Sequence, residues 1–206
     1  MKLYVSAGTC SQAPHIVARE AGIALELVPV DLQAKTYGAG RDYREISENG
    51  YVPALEVAPG VVLTEGPAIM QYLADLKPES GLAPAHGALP RYQLQQWLNF
   101  ITSELHKGYS PLFNPATPAA YREIALDLLR KRYAVIERAL SQHEHVAGPQ
   151  FSVADAYLFV VTGWAGYVGL DLSGFPKLQA WRKRVGERPA VREALRAEAT
   201  LTAKAA

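Results

Sequence analysis

The sequence predicts a small α/β unit followed by an all-α helical domain. Three observations predict it. Short strand-like and helix-like stretches alternate over the first eighty residues. Lys77-Pro78-Glu79-Ser80-Gly81-Leu82-Ala83-Pro84 then reads as a linker, with two prolines and a glycine. Beyond it, apolar residues recur only at helical spacing.

In the first part, Leu3-Tyr4-Val5 is a short apolar run before Ser6-Ala7-Gly8 and reads as a strand. Residues 11–21 read as a helix, with Ser11 as N-cap, Pro14 in the first turn and Gly22 as the stop. Residues 25–30 read as a second strand and 41–47 as a short helix. Residues 54–57 and 61–64 flank Pro59-Gly60, a hairpin turn. Residues 66–76 then form a helix with Ile69, Met70, Tyr72 and Leu73 on its apolar side.

In the second part, Leu94, Trp97, Leu98, Ile101 and Leu105 mark one helix, and Ala125, Leu128, Leu129, Tyr133, Ile136 and Leu140 a second. Ser152 opens a third, with Asp155 three residues on. Residues 175–185 and 190–201 make the last two. The domain division is 1–80 and 87–206.

Composition bounds the function. The chain has 206 residues, 49% hydrophobic and 20% charged, enough for sizeable cores without metals or disulfides. The net charge of +1 gives no case for nucleic acid or acidic membranes, although residues 1–80 balance at −4 and 81–206 at +5. The basic cluster Arg182, Lys183, Arg184, Arg188 and Arg192 is interleaved with Glu187 and Glu193 and reads as a helix exterior. With one cysteine, Cys10, no intrachain disulfide forms. The N-terminus lacks an apolar signal run, and no stretch is apolar enough to span a membrane. A cytoplasmic location is expected. Scattered histidines and one cysteine offer no metal-ligand spacing, and no phosphate-binding glycine motif is present.

Cys10 is the first candidate for chemistry. It follows a strand and loop and precedes a helix, where exposed N–H groups and the helix dipole favour a thiolate. A buried inert cysteine is the alternative. Cys10-Ser11-Gln12-Ala13 lacks a second cysteine, so a two-thiol cycle is excluded and a monothiol cycle is not. Either isomer of Val52–Pro53 fits the residues. Glu65-Gly66 lies at a strand–helix junction, where a backbone N–H can receive a carboxylate and Glu65 an ammonium; an ordinary acidic first turn fits equally. Asn99, Thr102, Ser103, His106 and Ser110 share a helix face without Lys or Glu, which suits either a solvated stripe or a polar cleft wall. His106 is its titratable member.

These stretches together resemble the bacterial beta-class glutathione S-transferases. The resemblance lies in Met1-Lys2-Leu3-Tyr4 through Cys10-Ser11, Ala13-Pro14-His15-Ile16-Val17, Gly50-Tyr51-Val52-Pro53-Ala54-Leu55 and Leu63-Thr64-Glu65-Gly66-Pro67-Ala68-Ile69. It continues in Gln71 to Asp75, Trp97 to Ile101, Ser103-Glu104-Leu105-His106-Lys107-Gly108 and Ser152 to Phe159.

The resemblance implies a thioredoxin-like N-terminal domain that binds glutathione, an all-helical domain with a hydrophobic-substrate site, and a homodimer. It implies that Cys10 faces the glutathione sulfur and can form a mixed disulfide with it. Ser11 and His106 would help stabilise the thiolate. Pro53 would be cis, freeing the Val52 backbone for the cysteinyl part of glutathione. Glu65 and the Gly66 N–H would hold the γ-glutamyl end and Lys35 the glycyl carboxylate, with Asn99, Ser103, Glu104 and His106 completing the site. Tyr109, Phe113, Trp164 and Tyr167 are candidate walls of an electrophile pocket between the domains, and Trp164 and Tyr167 read equally well as helix-packing aromatics. Ser152 and Asp155 match the family's capping box, a folding element. Val5 stands where many relatives have tyrosine, Gly66 lacks a serine hydroxyl, and Ser47-Glu48-Asn49 replaces a more usual Asn-Pro-Lys-like turn.

The expected function is conjugation of the glutathione thiolate, a co-substrate used without a metal, to hydrophobic electrophiles in detoxification. The alternatives are a monothiol glutathione-dependent oxidoreductase, dehalogenase or peroxidase using Cys10, and a non-enzymatic carrier of hydrophobic compounds.

Overall fold

A computed structural model describes the backbone of residues 1–205 and the side chains of residues 1–201. The chain forms two compact units: residues 1–83 with 187–206, and residues 84–186.

The first unit is built on a six-stranded sheet of order β4-β3-β2-β1-β5-β6. Its strands are β1 (Lys2–Val5), β2 (Glu26–Asp31), β3 (Thr36–Tyr37), β4 (Arg41–Asp42), β5 (Ala54–Ala58) and β6 (Val61–Thr64). β1 pairs parallel with β2 across the helix α1 (Gln12–Glu20), and antiparallel with β5. β5 and β6 are the expected hairpin. α2 (Gly66–Asp75) packs against α1 and the hairpin.

Alternation along β1 separates two cores. Leu3 and Val5 are fully buried, and Tyr4 joins Tyr37, Tyr43, Val52 and Ala54 in a separate cluster. Its rings meet edge-on or tilted, Tyr4–Tyr37 at 5.4 Å and Tyr4–Tyr43 at 5.6 Å.

Two elements differ from the sequence reading. Residues 41–47 hold only a single 3-10 turn, Tyr43–Glu45, preceded by the two-residue strands β3 and β4. Asp42 accepts from the Arg44 N–H and stops the strand, and so short an edge hairpin carries no periodicity to read. Ser11 does not cap α1 through its side chain, because its hydroxyl is used on the preceding loop.

The second unit is helical: α3 (Leu89–Phe100), α4 (Lys107–Phe113), α5 (Ala119–Gln142), α6 (Val153–Gly163), α7 (Ala165–Val168) and α8 (Pro176–Gly186). α3 runs into α4 through a π-helical segment, Ile101–His106. Thr102 Oγ1 donates to the Leu98 carbonyl at 2.8 Å and Ser103 Oγ to the Asn99 carbonyl at 3.0 Å, so both hydroxyls bond back to the preceding turn. Gly108 lets α4 close on α5: a Cβ there would lie 2.9 Å from Leu129 Cδ2.

The final helix, α9 (Pro189–Ala205), belongs to the first unit, whereas the sequence division placed it in the second. It packs on α1 through a buried polar cluster. Glu198 accepts from Gln12 Nε2 at 3.2 Å and sits 3.1 Å from His15 Nδ1, while Arg188 holds Glu20 through two bonds of 2.6 and 2.7 Å. Apolar spacing alone says that α9 is amphipathic and not which unit it covers.

Asp155 organises the helical unit. It is fully buried and accepts from the Ser152 N–H and hydroxyl, the Val146 N–H and Trp181 Nε1, all within 3.0 Å. Asp155→Ala leaves these donors without an acceptor and is expected to cost about 3–5 kcal/mol, read as a lower urea midpoint. An unchanged midpoint would refute that role.

Candidate active site

In the first unit the candidate residues gather around the loop Gly50–Pro53. The Val52–Pro53 bond is cis. Three successive carbonyls of this loop each meet a side-chain donor. Lys35 Nζ donates to Gly50 at 2.9 Å, Tyr43 Oη to Tyr51 at 3.0 Å, and Cys10 Sγ to Val52 at 3.2 Å. Lys35 also lies over the Tyr51 ring, 5.6 Å from its centre. A Cβ built on Gly66 would sit 3.8 Å from Pro53 Cγ, so the start of α2 adjoins the same loop.

Cys10 is half-buried just before α1. Its Sγ reaches the Val52 carbonyl. Ser11 is fully buried. Its oxygen accepts from the Ser6 N–H at 3.1 Å, its hydroxyl reaches the Ser6 carbonyl at 3.1 Å, and Thr9 Oγ1 lies 2.8 Å away. The Ser11 hydroxyl thus ties the loop that presents Cys10.

Lys35 and Glu65 are the non-glycine residues with positive φ, at +57° and +66°. Such backbone is unfavourable for a side-chain-bearing residue and concentrates at functional positions. Here it marks two residues expected to hold the ends of a ligand. Glu65 is exposed at the start of α2.

In the second unit, His106 closes the π-helical segment. Its Nδ1 lies 2.5 Å from Tyr157 Oη, and the Trp164 ring meets it edge-on at 4.9 Å. Burial, reinforced by the adjacent Lys107 ammonium, pulls the imidazole down to about 4, so it is neutral at pH 7. Asn99 and Ser103 are exposed on the same long helix. Glu104 is paired with Arg132 of α5, which engages the carboxylate expected for ligand binding.

The four aromatics proposed as pocket walls separate. Trp164 is buried against His106, Tyr109 and Phe113. Tyr109 is fully buried, and its hydroxyl lies 2.8 Å from that of Tyr133, so it is a packing residue and not an open wall. Burial raises both phenols, Tyr133 to about 12. Phe113 is 50% exposed and Tyr167 85% exposed. Two residues escaped sequence reasoning. Tyr43 sits in a turn too short to show a pattern, and Tyr157 lies in an all-apolar helical run that reads as core. Among the described residues, no three His, Cys, Asp or Glu side chains are placed to hold a metal ion, and no helix is long and apolar enough to cross a membrane.

A single cysteine at a helix start, turned to the backbone before a cis proline, defines a protein built to handle a thiol. Family models for the glutathione S-transferase N-terminal domain and C-terminal domain match residues 7–76 and 100–189. Glutathione S-transferase GstA of Escherichia coli O157:H7 is 44% identical over 198 residues, covering 96% of this chain and 98% of the relative. A structure described as a ternary complex of BphK, a bacterial GST, is 54% identical with a TM-score of 0.95, covering 97% of this chain and all of that one. A sphingomonad glutathione S-transferase complexed with glutathione is 46% identical with a TM-score of 0.93, covering 97% and 99%. The chain belongs to the bacterial glutathione S-transferase family.

Because His106 is held below its ordinary value of 6.5, the unfolded chain binds the extra proton first as pH falls from 6.5 to 4. Stability should drop through that window on His106's account and level off below it. His106→Gln should flatten that part of the stability profile measured by urea denaturation; an identical slope would show that the ring titrates normally.

Proposed function

We propose that this protein conjugates the glutathione thiolate to small hydrophobic electrophiles. The observation that carries it is the Gly50–Pro53 loop: its carbonyls are held by side chains, while its backbone and Cys10 face the place where a cysteinyl peptide would lie. The Gly66 N–H and Glu65 receive the γ-glutamyl end, and Lys35 the glycyl carboxylate. Asn99, Ser103 and His106 complete glutathione binding, and Phe113, Trp164 and Tyr167 serve the electrophile. Glutathione is a co-substrate, and the reaction needs no metal.

In the chemical step the thiolate attacks an electrophilic carbon. A C–S bond forms, the carbon–halogen bond of an aryl halide breaks, halide leaves, and the thiol proton passes to solvent. Hydrogen-bond donors aimed at the sulfur favour the anion, and holding it against the electrophile supplies proximity. A detoxifying role in the cytoplasm suits a chain with one cysteine. The exposed apolar side chains of Tyr51, Leu89 and Tyr92 support assembly as a homodimer.

The thiol of Cys10 supports a second reading, monothiol exchange. Its thiolate would attack a disulfide, form a mixed disulfide and release the other thiol; glutathione would then displace it. Cys10→Ala separates the two. Conjugation of glutathione to an activated aryl chloride should be saturable and should survive in Cys10→Ala within about tenfold, since the nucleophile is the ligand's sulfur. Disulfide exchange should be abolished in Cys10→Ala if Cys10 is its nucleophile; exchange that persists would end the second reading. Absence of any rate in the wild type would end the transferase reading.

A further inference from the structure

The Tyr157 hydroxyl on α6 lies 2.5 Å from His106 Nδ1. The two rings also meet edge-on, with centres 5.8 Å apart. Tyr157 is almost fully buried in a helical run of Ala, Leu, Phe and Val, where a phenylalanine would satisfy packing alone. A neutral imidazole carries one proton, and the partner of one nitrogen decides which nitrogen holds it. A phenol O–H is a strong donor and a bare imidazole nitrogen a strong acceptor, which favours a bond running from oxygen to nitrogen. The groups against the imidazole are the Lys107 ammonium on its own helix, the Tyr157 phenol and the Trp164 indole; Lys107 opposes a second proton on the ring.

We propose that Tyr157 is a positioning residue: its hydroxyl donates to His106 Nδ1, fixes the ring as the Nε2–H tautomer, and so leaves Nε2–H as the donor that His106 can offer a ligand. The consequence for catalysis rests on the transferase reading above; the tautomer does not. Nothing in the phenol touches the reacting atoms. It acts by setting where one proton sits, as partners of ligating or catalytic histidines do.

The test uses the whole protein with histidine labelled with ¹⁵N. Long-range ¹H–¹⁵N spectra at pH 7 should show His106 with a bare Nδ1 and a protonated Nε2. Tyr157→Phe keeps the ring and its volume, so the fold is retained. It should shift His106 toward a mixture of tautomers and lower kcat for aryl chloride conjugation roughly tenfold, the loss of one hydrogen bond's worth of positioning, with KM for glutathione within about twofold. In a His106→Gln background, Tyr157→Phe should change the rate by less than about twofold.

A protonated Nδ1 in the wild type, or an unchanged tautomer in Tyr157→Phe, would overturn the proposal. An equal kinetic loss in the His106→Gln background would also overturn it, since the phenol would then act independently of His106. If the tautomer shifts as stated while neither protein conjugates glutathione, the positioning of His106 stands and the transferase reading falls.

Discussion

The loop Gly50–Pro53 is held by its carbonyls. Lys35, Tyr43 and Cys10 each take one, in order along the chain. Carbonyls committed to side chains fix the peptide planes between them, and the side chains reach the loop from three separate elements. Lys35 follows β2, Tyr43 follows β4, and Cys10 precedes α1. The sheet order places all three around one loop, so the edge hairpin β3–β4 is more than decoration: without it Tyr43 has no route to Tyr51. The positive φ of Lys35 has the same origin. Its backbone bends so that the ammonium can reach Gly50, and Gly50 itself, at φ +62°, could not carry a Cβ without striking the Lys35 stem at 3.0 Å.

The helical unit solves a different problem. It must hold a polar ring inside an aromatic cluster, and burial makes a charged imidazole costly there. A neutral histidine with its Nδ1 met by a phenol removes the cost. The π-helical segment belongs to the same solution, because it reorients the last turn before α4 and brings His106 against α6 and Trp164. Within it, the hydroxyls of Thr102 and Ser103 bond back to the carbonyls of Leu98 and Asn99. Part of the polar stripe that sequence periodicity groups as one face is therefore bonded to its own helix. Asn99 and Ser103 are exposed, while Thr102 points its hydroxyl back along the helix.

What was legible in the sequence follows from the range of the forces involved. β1, α1, the β5–β6 hairpin, α2 and the capping box of α6 are local, set by alternation, caps and turns within about ten residues. The cysteine at a helix start is equally local, and the longer motifs carried the resemblance. Three features were not legible. The hairpin β3–β4 has two residues per strand. The attachment of α9 to the first unit depends on Glu198 finding Gln12 and His15 more than 180 residues earlier. Ser11 reads as a cap by residue type, yet its hydroxyl is better satisfied by Ser6 and Thr9. In the same way Tyr109 reads as a candidate pocket wall, and only packing shows Tyr133 across from it.

His106 rests as a desolvated neutral ring, and the Cys10 thiol meets a backbone carbonyl. That choice has a chemical logic for a thiol co-substrate. A cationic imidazole would stabilise any anion, including water-borne ones, and would lose strength with salt. A Cys10 thiolate would repel a second sulfur anion brought beside it. Neutral donors instead favour a sulfur anion without competing with it for a proton, because the charge arrives with the ligand and meets dipoles already in place. The protein's fixed charges are spent elsewhere: Lys35 and Glu65 stand at opposite ends of the loop region, where they suit the two charged ends of a peptide. On the transferase reading proposed above, the charges of Lys35 and Glu65 serve recognition and the neutral ring of His106 serves reactivity, the division expected when the nucleophile belongs to the substrate and not to the enzyme.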